Sequence, residues 1–428
     1  MKYLLLTFIG VAMMLNAQAQ DKVLTMEEAI LGYQLYPKNL NVQWQGEQNV
    51  FTYTEGTDLV GENADSGEKK VILTVAELNR ILGADLKGWP QYGWRNGRTL
   101  VIMRQGKMTE IDVEKKALAK TFVIAKGAQN VEPNGKALVA YTKGNNLFYV
   151  DVNGNEFAVT KDEDPNIVNG QAVSRNEFGI NGGIFWSPDG KRLAFYRKDE
   201  SEVSTFPLLN INTRTGSLRE IKYPMAGMKS EQISLGVHDV ASGKTVFLEV
   251  DDFGREQYLT NIAWGPASDY LYVQVLDRAQ KHMRLNQYEA KSGKFVKTLL
   301  EERNEKYVEP QTPIVFLKNE SSQFIYRTNN RDGYFNLYLV DVRTGKVLKR
   351  LTDVDADVEM LGQDEKSVYY TSAEVSPVDN HLFKVDLKSG KKTRLTQAEG
   401  WHWVSMSKDM KYFVDNYSSL NVPRVIDL

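Results

Sequence analysis

The sequence predicts an all-β eight-bladed propeller. Three observations point there: a strand–turn–strand theme that recurs along the chain, a hairpin theme that follows most of its copies, and scarce helical periodicity. The clearest copy of the first theme is IFWSPDGKRLAFYR, Ile184 to Arg197. Its kin begin at Val42, Tyr92, Val131, Ile262, Val315, Met360 and Trp403, which makes eight copies. Most lie about 40–55 residues apart, in the range of propeller blades. The second theme runs through a Thr-Gly, Ser-Gly or Asn-Gly pair, as in LYLVDVRTGKVLKRLT from Leu337, LFKVDLKSGKKTRLT from Leu382 and LFYVDVNGNEFAVT from Leu147. The stretches from Leu235 and Leu285 belong with them. Glycine suits these turns because a tight hairpin demands a positive φ, which a Cβ resists. The two themes give four short strands per unit. A lone four-stranded sheet cannot bury both faces, whereas radial packing about an axis buries each sheet against the next. A large β-sandwich is the rival architecture, and seven blades the alternative count.

The remaining elements follow from the same reading. The best helical signals are Met26 to Leu31 and VAELNRIL, where Val75, Leu78, Ile81 and Leu82 recur at helical spacing. The blade spacing is broken between Val131 and Trp186 and again between Trp186 and Trp264. That extra length must emerge as loops from one blade, and such insertions often carry function. Trp44, Trp94, Trp186 and Trp264 hold similar places in the first theme and read as filling between blades.

Composition narrows the function. A formal charge of −2 gives no basic field for nucleic acid. The absence of cysteine excludes disulfides, a thiol nucleophile and thiolate metal ligands. Lys2, the apolar run Leu4 to Leu15 and the small residues of Ala17-Gln18-Ala19 read as a secretory signal peptide over residues 1–19, cleaved after Ala19. No later stretch is apolar enough to span a membrane, so residues 20–428 are expected as an exported propeller domain, periplasmic or at the cell surface.

Catalytic motifs are lacking. There is no G-x-S-x-G nucleophile elbow, no P-loop and no dinucleotide fingerprint. The four histidines, His238, His282, His381 and His402, have no spacing of a zinc site and read as packing or solvent residues. The acidic runs Asp162 to Asp164 and Asp353 to Asp357 lack calcium-loop spacing. No metal and no cofactor is expected, and no catalytic residue is assigned within the chain.

The stretch VSRNEFGINGGIFWSPDGKRLAFYRKDESEV, Val173 to Val203, resembles the signature region of the dipeptidyl peptidase IV N-terminal domain in the prolyl oligopeptidase family of serine peptidases. KYPMAG from Lys222, LDRAQKHMRLNQYEAKSGK from Leu276 and YRTNNRDGYFNLYLVDVRTGK from Tyr326 continue the likeness in order, over residues 30 to 428. The resemblance implies an eight-bladed propeller capping a C-terminal α/β-hydrolase domain, with the active site in the cavity between them. It implies a peptide substrate with a free N-terminus and Pro or Ala close to it. The catalytic Ser, Asp and His of such enzymes belong to the hydrolase domain, expected to begin where this chain stops at Asp427-Leu428. A dimer is possible for such a full-length protein.

In that family, adjacent glutamates on a short helix that protrudes from a blade bind the peptide's protonated amine. The matching segment is Arg175-Asn176-Glu177-Phe178, with one glutamate where the pattern has two. Counting back from Trp186 without gaps places Arg175 and Asn176 on the pair and Glu177 beside it. Glu177 is the expected amine anchor, and a single anchor leaves dipeptide and tripeptide release both open. Arg104 is the candidate for the family's arginine that holds a substrate carbonyl. The alternative reading is a stand-alone periplasmic propeller that binds a protein or peptide and has no peptidase activity.

Overall fold

The computed structural model describes residues 23–32 and 40–428; the expected signal peptide lies outside the described residues. Both expected helices form. Met26–Leu31 is a short helix whose Thr25 and Glu28 make a reciprocal capping box. Val75–Leu82 is capped in the same way by Thr74 and Glu77, and ends at Gly83 with φ +60°. Its buried Val75 and Leu78 face the sheets of residues 43–123, where Leu78 packs with Leu59, Leu73 and Leu100.

From Asn41 onward the chain is a ring of eight small antiparallel sheets. Blade 1 spans residues 43–74, blade 2 residues 92–123, blade 3 residues 129–158 and blade 4 residues 167–247. Blade 5 spans 258–303, blade 6 spans 315–350, blade 7 spans 358–394 and blade 8, with three strands, spans 401–427. Each of the eight copies of the first theme forms the first two strands of one blade, which settles the count at eight. The core is a series of layers between neighbouring sheets. One layer joins blades 4 and 5 through Tyr196, Leu235, Leu259 and Val273. Another joins blades 5 and 6 through Leu285, Leu300, Phe324 and Tyr338. Such sheets are stable only as a stack, because each buries its faces against its neighbours.

The four tryptophans of the first theme, among seven in the sequence, sit between blades, and each of their indole N–H groups reaches back toward the preceding sheet. Trp264 donates to the Phe185 carbonyl at 3.0 Å, Trp186 to the Glu132 carbonyl at 2.9 Å and Trp94 to Thr52 Oγ1 at 2.9 Å. Trp44 donates to the Ser405 carbonyl at 3.0 Å and so joins blade 1 to blade 8. Tyr412 adds a hydrogen bond to Asp65 across the same seam. Among the described residues the ring thus closes by side chains, with no strand exchanged between its first and last blades.

The outer hairpins carry the expected glycines: Gly154, Gly243, Gly293, Gly345 and Gly390 all have φ between +66° and +82°. An acidic residue opens these turns. Asp341 Oδ1 accepts from the Thr344 N–H at 2.7 Å and its hydroxyl at 2.6 Å, and Asp386 does the same with Ser389. Asp239 accepts from Ser242 in the same pattern. These bonds favour the charged form and hold all three carboxyls below the usual range, through the Thr344 hydroxyl first at Asp341 and through the backbone N–H first at Asp239 and Asp386. Their stabilisation is therefore present above the unfolded-state value, about 4, and is lost as pH falls through the lower folded-state values. The urea midpoint should drop between pH 5 and pH 3. A combined Asp239→Asn, Asp341→Asn and Asp386→Asn variant should show a shallower drop, since the amide oxygen still accepts but no longer titrates. An equally steep drop in the variant would assign acid sensitivity to other groups.

Both excess lengths emerge from blade 4. Its innermost strand is split into Ile167–Asn169 and Ile184–Trp186, which pair with the two ends of Arg192–Asp199. Between them the chain departs at Gly170 and returns at Gly183, both hydrogen-bonded to the backbone of Tyr196. The second excess is a two-stranded ribbon, Thr205–Asn210 with Ser217–Lys222, inserted between the second and third main strands. Its apolar Leu209, Ile211 and Leu218 are exposed.

Candidate functional site

The excursion from blade 4 contains a single turn of 3-10 helix, Ser174–Asn176, with Glu177 as its C-cap. Its backbone is unusual. Ser174, Arg175, Asn176 and Phe178 have φ of +52°, +56°, +63° and +57°. Left-handed conformations cost non-glycine residues about 1–3 kcal/mol each and persist only where the surroundings hold them.

Three anchors do so here. The Ser174 N–H donates to the buried Glu231 carboxylate at 2.5 Å. Phe178 is buried between blades 5 and 6, its ring 4.9 Å from that of Tyr258. Arg175 turns toward the base of the ribbon, donates to the Lys222 carbonyl and stacks 4.3 Å from the Tyr223 ring centroid. Asn176 spends its amide on the Ile180 carbonyl at 3.2 Å. Glu177 is left exposed at the tip of the turn.

Glu177 and Asn176 line a pocket of about 530 Å³ with Phe178, Gln280, Tyr307 and Glu309. The Tyr258 phenol beside it is pushed above its ordinary value by burial; the Arg278 charge opposes that shift and the Glu177 charge adds to it. The arrangement offers carboxylate to a cation from a turn that begins on the innermost strand of its blade.

Of the four expected site residues, Asn176 and Glu177 meet in this pocket. Arg175 lies beside them but is engaged with the ribbon. Arg104 ends the second strand of blade 2, at the Gln105-Gly106 turn, and does not line the pocket of Glu177. Strand alternation puts the Gln105-Gly106 turn on the ring face that also carries the Gln280 loop of blade 5. Sequence reading missed Tyr258, Gln280, Tyr307 and Glu309, which lie at a strand start, in a hairpin turn of blade 5 and in the connection between blades 5 and 6, none of which carries a motif.

The family profile of the dipeptidyl peptidase IV (DPP IV) N-terminal region matches residues 112–424. Dipeptidyl-aminopeptidase B of Aspergillus niger is 23% identical over 488 residues, covering 95% of this chain and 52% of its own length. The crystal structure of Porphyromonas gingivalis dipeptidyl peptidase 4 has a TM-score of 0.79 at 25% identity, over 95% of this chain and 60% of that one. A Bacteroides ovatus ATCC 8483 protein assigned as a dipeptidyl aminopeptidase IV has a TM-score of 0.83 at 34% identity, over 91% of this chain and 58% of that one. The chain spans little more than half the length of these three proteins. Fold and similarity together define a peptidase-associated β-propeller. The chain belongs to the family of the dipeptidyl peptidase IV N-terminal region.

Proposed function

We propose that this propeller binds the N-terminal amine of peptides and gates their entry for an exported serine dipeptidyl or tripeptidyl aminopeptidase acting on Pro- or Ala-containing peptides. The observation that carries the reading is the strained turn at residues 174–178, which presents Glu177 at a pocket shared with the Gln280 hairpin of blade 5 and the connection between blades 5 and 6. A carboxylate in a partly enclosed pocket pairs strongly with an ammonium. Fixing that end of the peptide fixes how many residues precede the cut. Cleavage itself falls to an α/β-hydrolase domain following this propeller. Arg104 holds a substrate carbonyl: its half-buried guanidinium at the end of a blade 2 strand can donate two parallel hydrogen bonds.

The test is kinetic, on the full-length gene product with Gly-Pro and Ala-Pro chromogenic substrates. Glu177→Gln should raise KM for free-amine substrates about tenfold or more, the worth of a hydrogen bond to a charged group, and should change N-blocked substrates little. An unchanged KM removes Glu177 from the site. A full-length product that binds peptides but never cleaves them selects the stand-alone binding propeller.

A further inference from the structure

We infer that Glu309 supplies a second carboxylate to the amine pocket, at a distance from Glu177 that Asn261 sets; this rests on the function proposed above. Glu309 belongs to the connection between blades 5 and 6, more than a hundred residues from the turn of blade 4, yet both carboxylates line one pocket. Among the described residues no Lys, Arg or His lines it. Glu309 Oε2 accepts from Asn329 Nδ2 at 2.8 Å, which orients the carboxyl and leaves Oε1 for a ligand. A peptide's ammonium presents three donors, and one exposed carboxylate satisfies them poorly. Two carboxylates from separate walls take two of the three and add their charges.

The spacing is built into the backbone. Asn261 sits at a register break between Thr260 and Ala263 in the inner strand of blade 5, with φ +52°. Its Nδ2 donates to the Phe178 carbonyl at 3.2 Å and to the Pro310 carbonyl at 3.0 Å. Phe178 follows Glu177 and Pro310 follows Glu309, so one buried amide clamps the residue after each carboxylate. Its Oδ1 is buried without a hydrogen-bond partner among the described residues. Gly179 seals the joint: a Cβ there would stand 1.9 Å from the Gln311 carbonyl oxygen, so only glycine lets the two segments approach this closely. The turn that presents Glu177 thus draws a second charge from another part of the ring.

Calorimetric titration of the full-length gene product, with the nucleophilic serine of its hydrolase domain replaced by Ala so that peptide is bound and not consumed, compares Ala-Pro-Ala with N-acetyl-Ala-Pro-Ala. Wild type should prefer the free amine. Glu309→Gln should weaken free-amine binding about tenfold or more and abolish most of that preference, as Glu177→Gln does. Glu309→Asp, which keeps the charge, should retain part of it, and Asn261→Ala should weaken the free-amine peptide alone. A purely structural role for Glu309 would weaken both peptides equally and would overturn the inference. If Glu177→Gln removes the preference while Glu309→Gln leaves it intact, the second carboxylate is wrong and the proposed function stands. If neither variant changes it, the proposed function fails as well.

Discussion

Gly345→Ala should destabilise the protein by about 3–5 kcal/mol, while the same change at Gly243 should cost only about 1–2 kcal/mol. The two glycines hold equivalent places in the outer hairpins of blades 6 and 4, with φ of +69° and +66°. Both substitutions therefore incur the left-handed penalty. They differ in what lies outside the turn. A Cβ at Gly243 meets nothing within 4 Å, whereas one at Gly345 would stand 1.6 Å from the Leu299 carbonyl oxygen of blade 5. Leu299 lies where the register of the outer strand of blade 5 shifts. Lys297 of the same strand donates to the carbonyls of Val342 and Arg343 at 3.0 and 2.7 Å, holding the turn against the strand. Backbone on both sides leaves no flexible atom to yield. Urea titration of the two variants decides it: equal losses would mean that the hairpin of blade 6 is not seated on blade 5.

The same hairpins show why so much of the fold is legible in the sequence. Propeller blades repeat, so a local pattern of strand, Gly turn and strand is written eight times, and each copy supports the others. The helix Val75–Leu82 was legible because its apolar positions and its capping residues Thr74 and Glu77 agree. The split inner strand of blade 4 was legible only as excess length. Two three-residue pieces separated by an excursion leave no periodicity to detect. The tryptophans were correctly placed between blades, but the direction of an indole N–H depends on the neighbouring sheet. Glu177 came from a resemblance in local sequence. Glu309 and Asn261 had no such signal: one resembles a solvated loop charge and the other an ordinary strand residue. Their meaning arises from contacts between blades that only the closed ring creates.

The turn that presents Glu177 ties stability to function, and Phe178→Ala should damage both. Phe178 is 8% exposed and packs among Tyr258, Leu276, Met283 and Val308. Truncating a buried phenylalanine costs about 3–5 kcal/mol through lost transfer energy and the cavity left behind. The larger consequence is geometric. Four residues of this short turn hold left-handed backbones, and Phe178 is both one of them and the side chain that pins them to the core. Without the ring, the strained backbone can relax toward ordinary φ, and the Glu177 carboxylate moves with it. KM for free-amine substrates should then rise as much as in Glu177→Gln, although the glutamate is still present. Phe178→Leu, which fills most of the volume, should keep most of the wild-type KM. Leu271→Ala supplies the comparison: Leu271 is fully buried in the layer between blades 4 and 5, and its loss should cost about 2–5 kcal/mol with KM unchanged. If Phe178→Ala and Leu271→Ala lose stability alike and both keep the wild-type KM, the turn holds its shape without its anchor, and the strain plays no part in presenting the carboxylate.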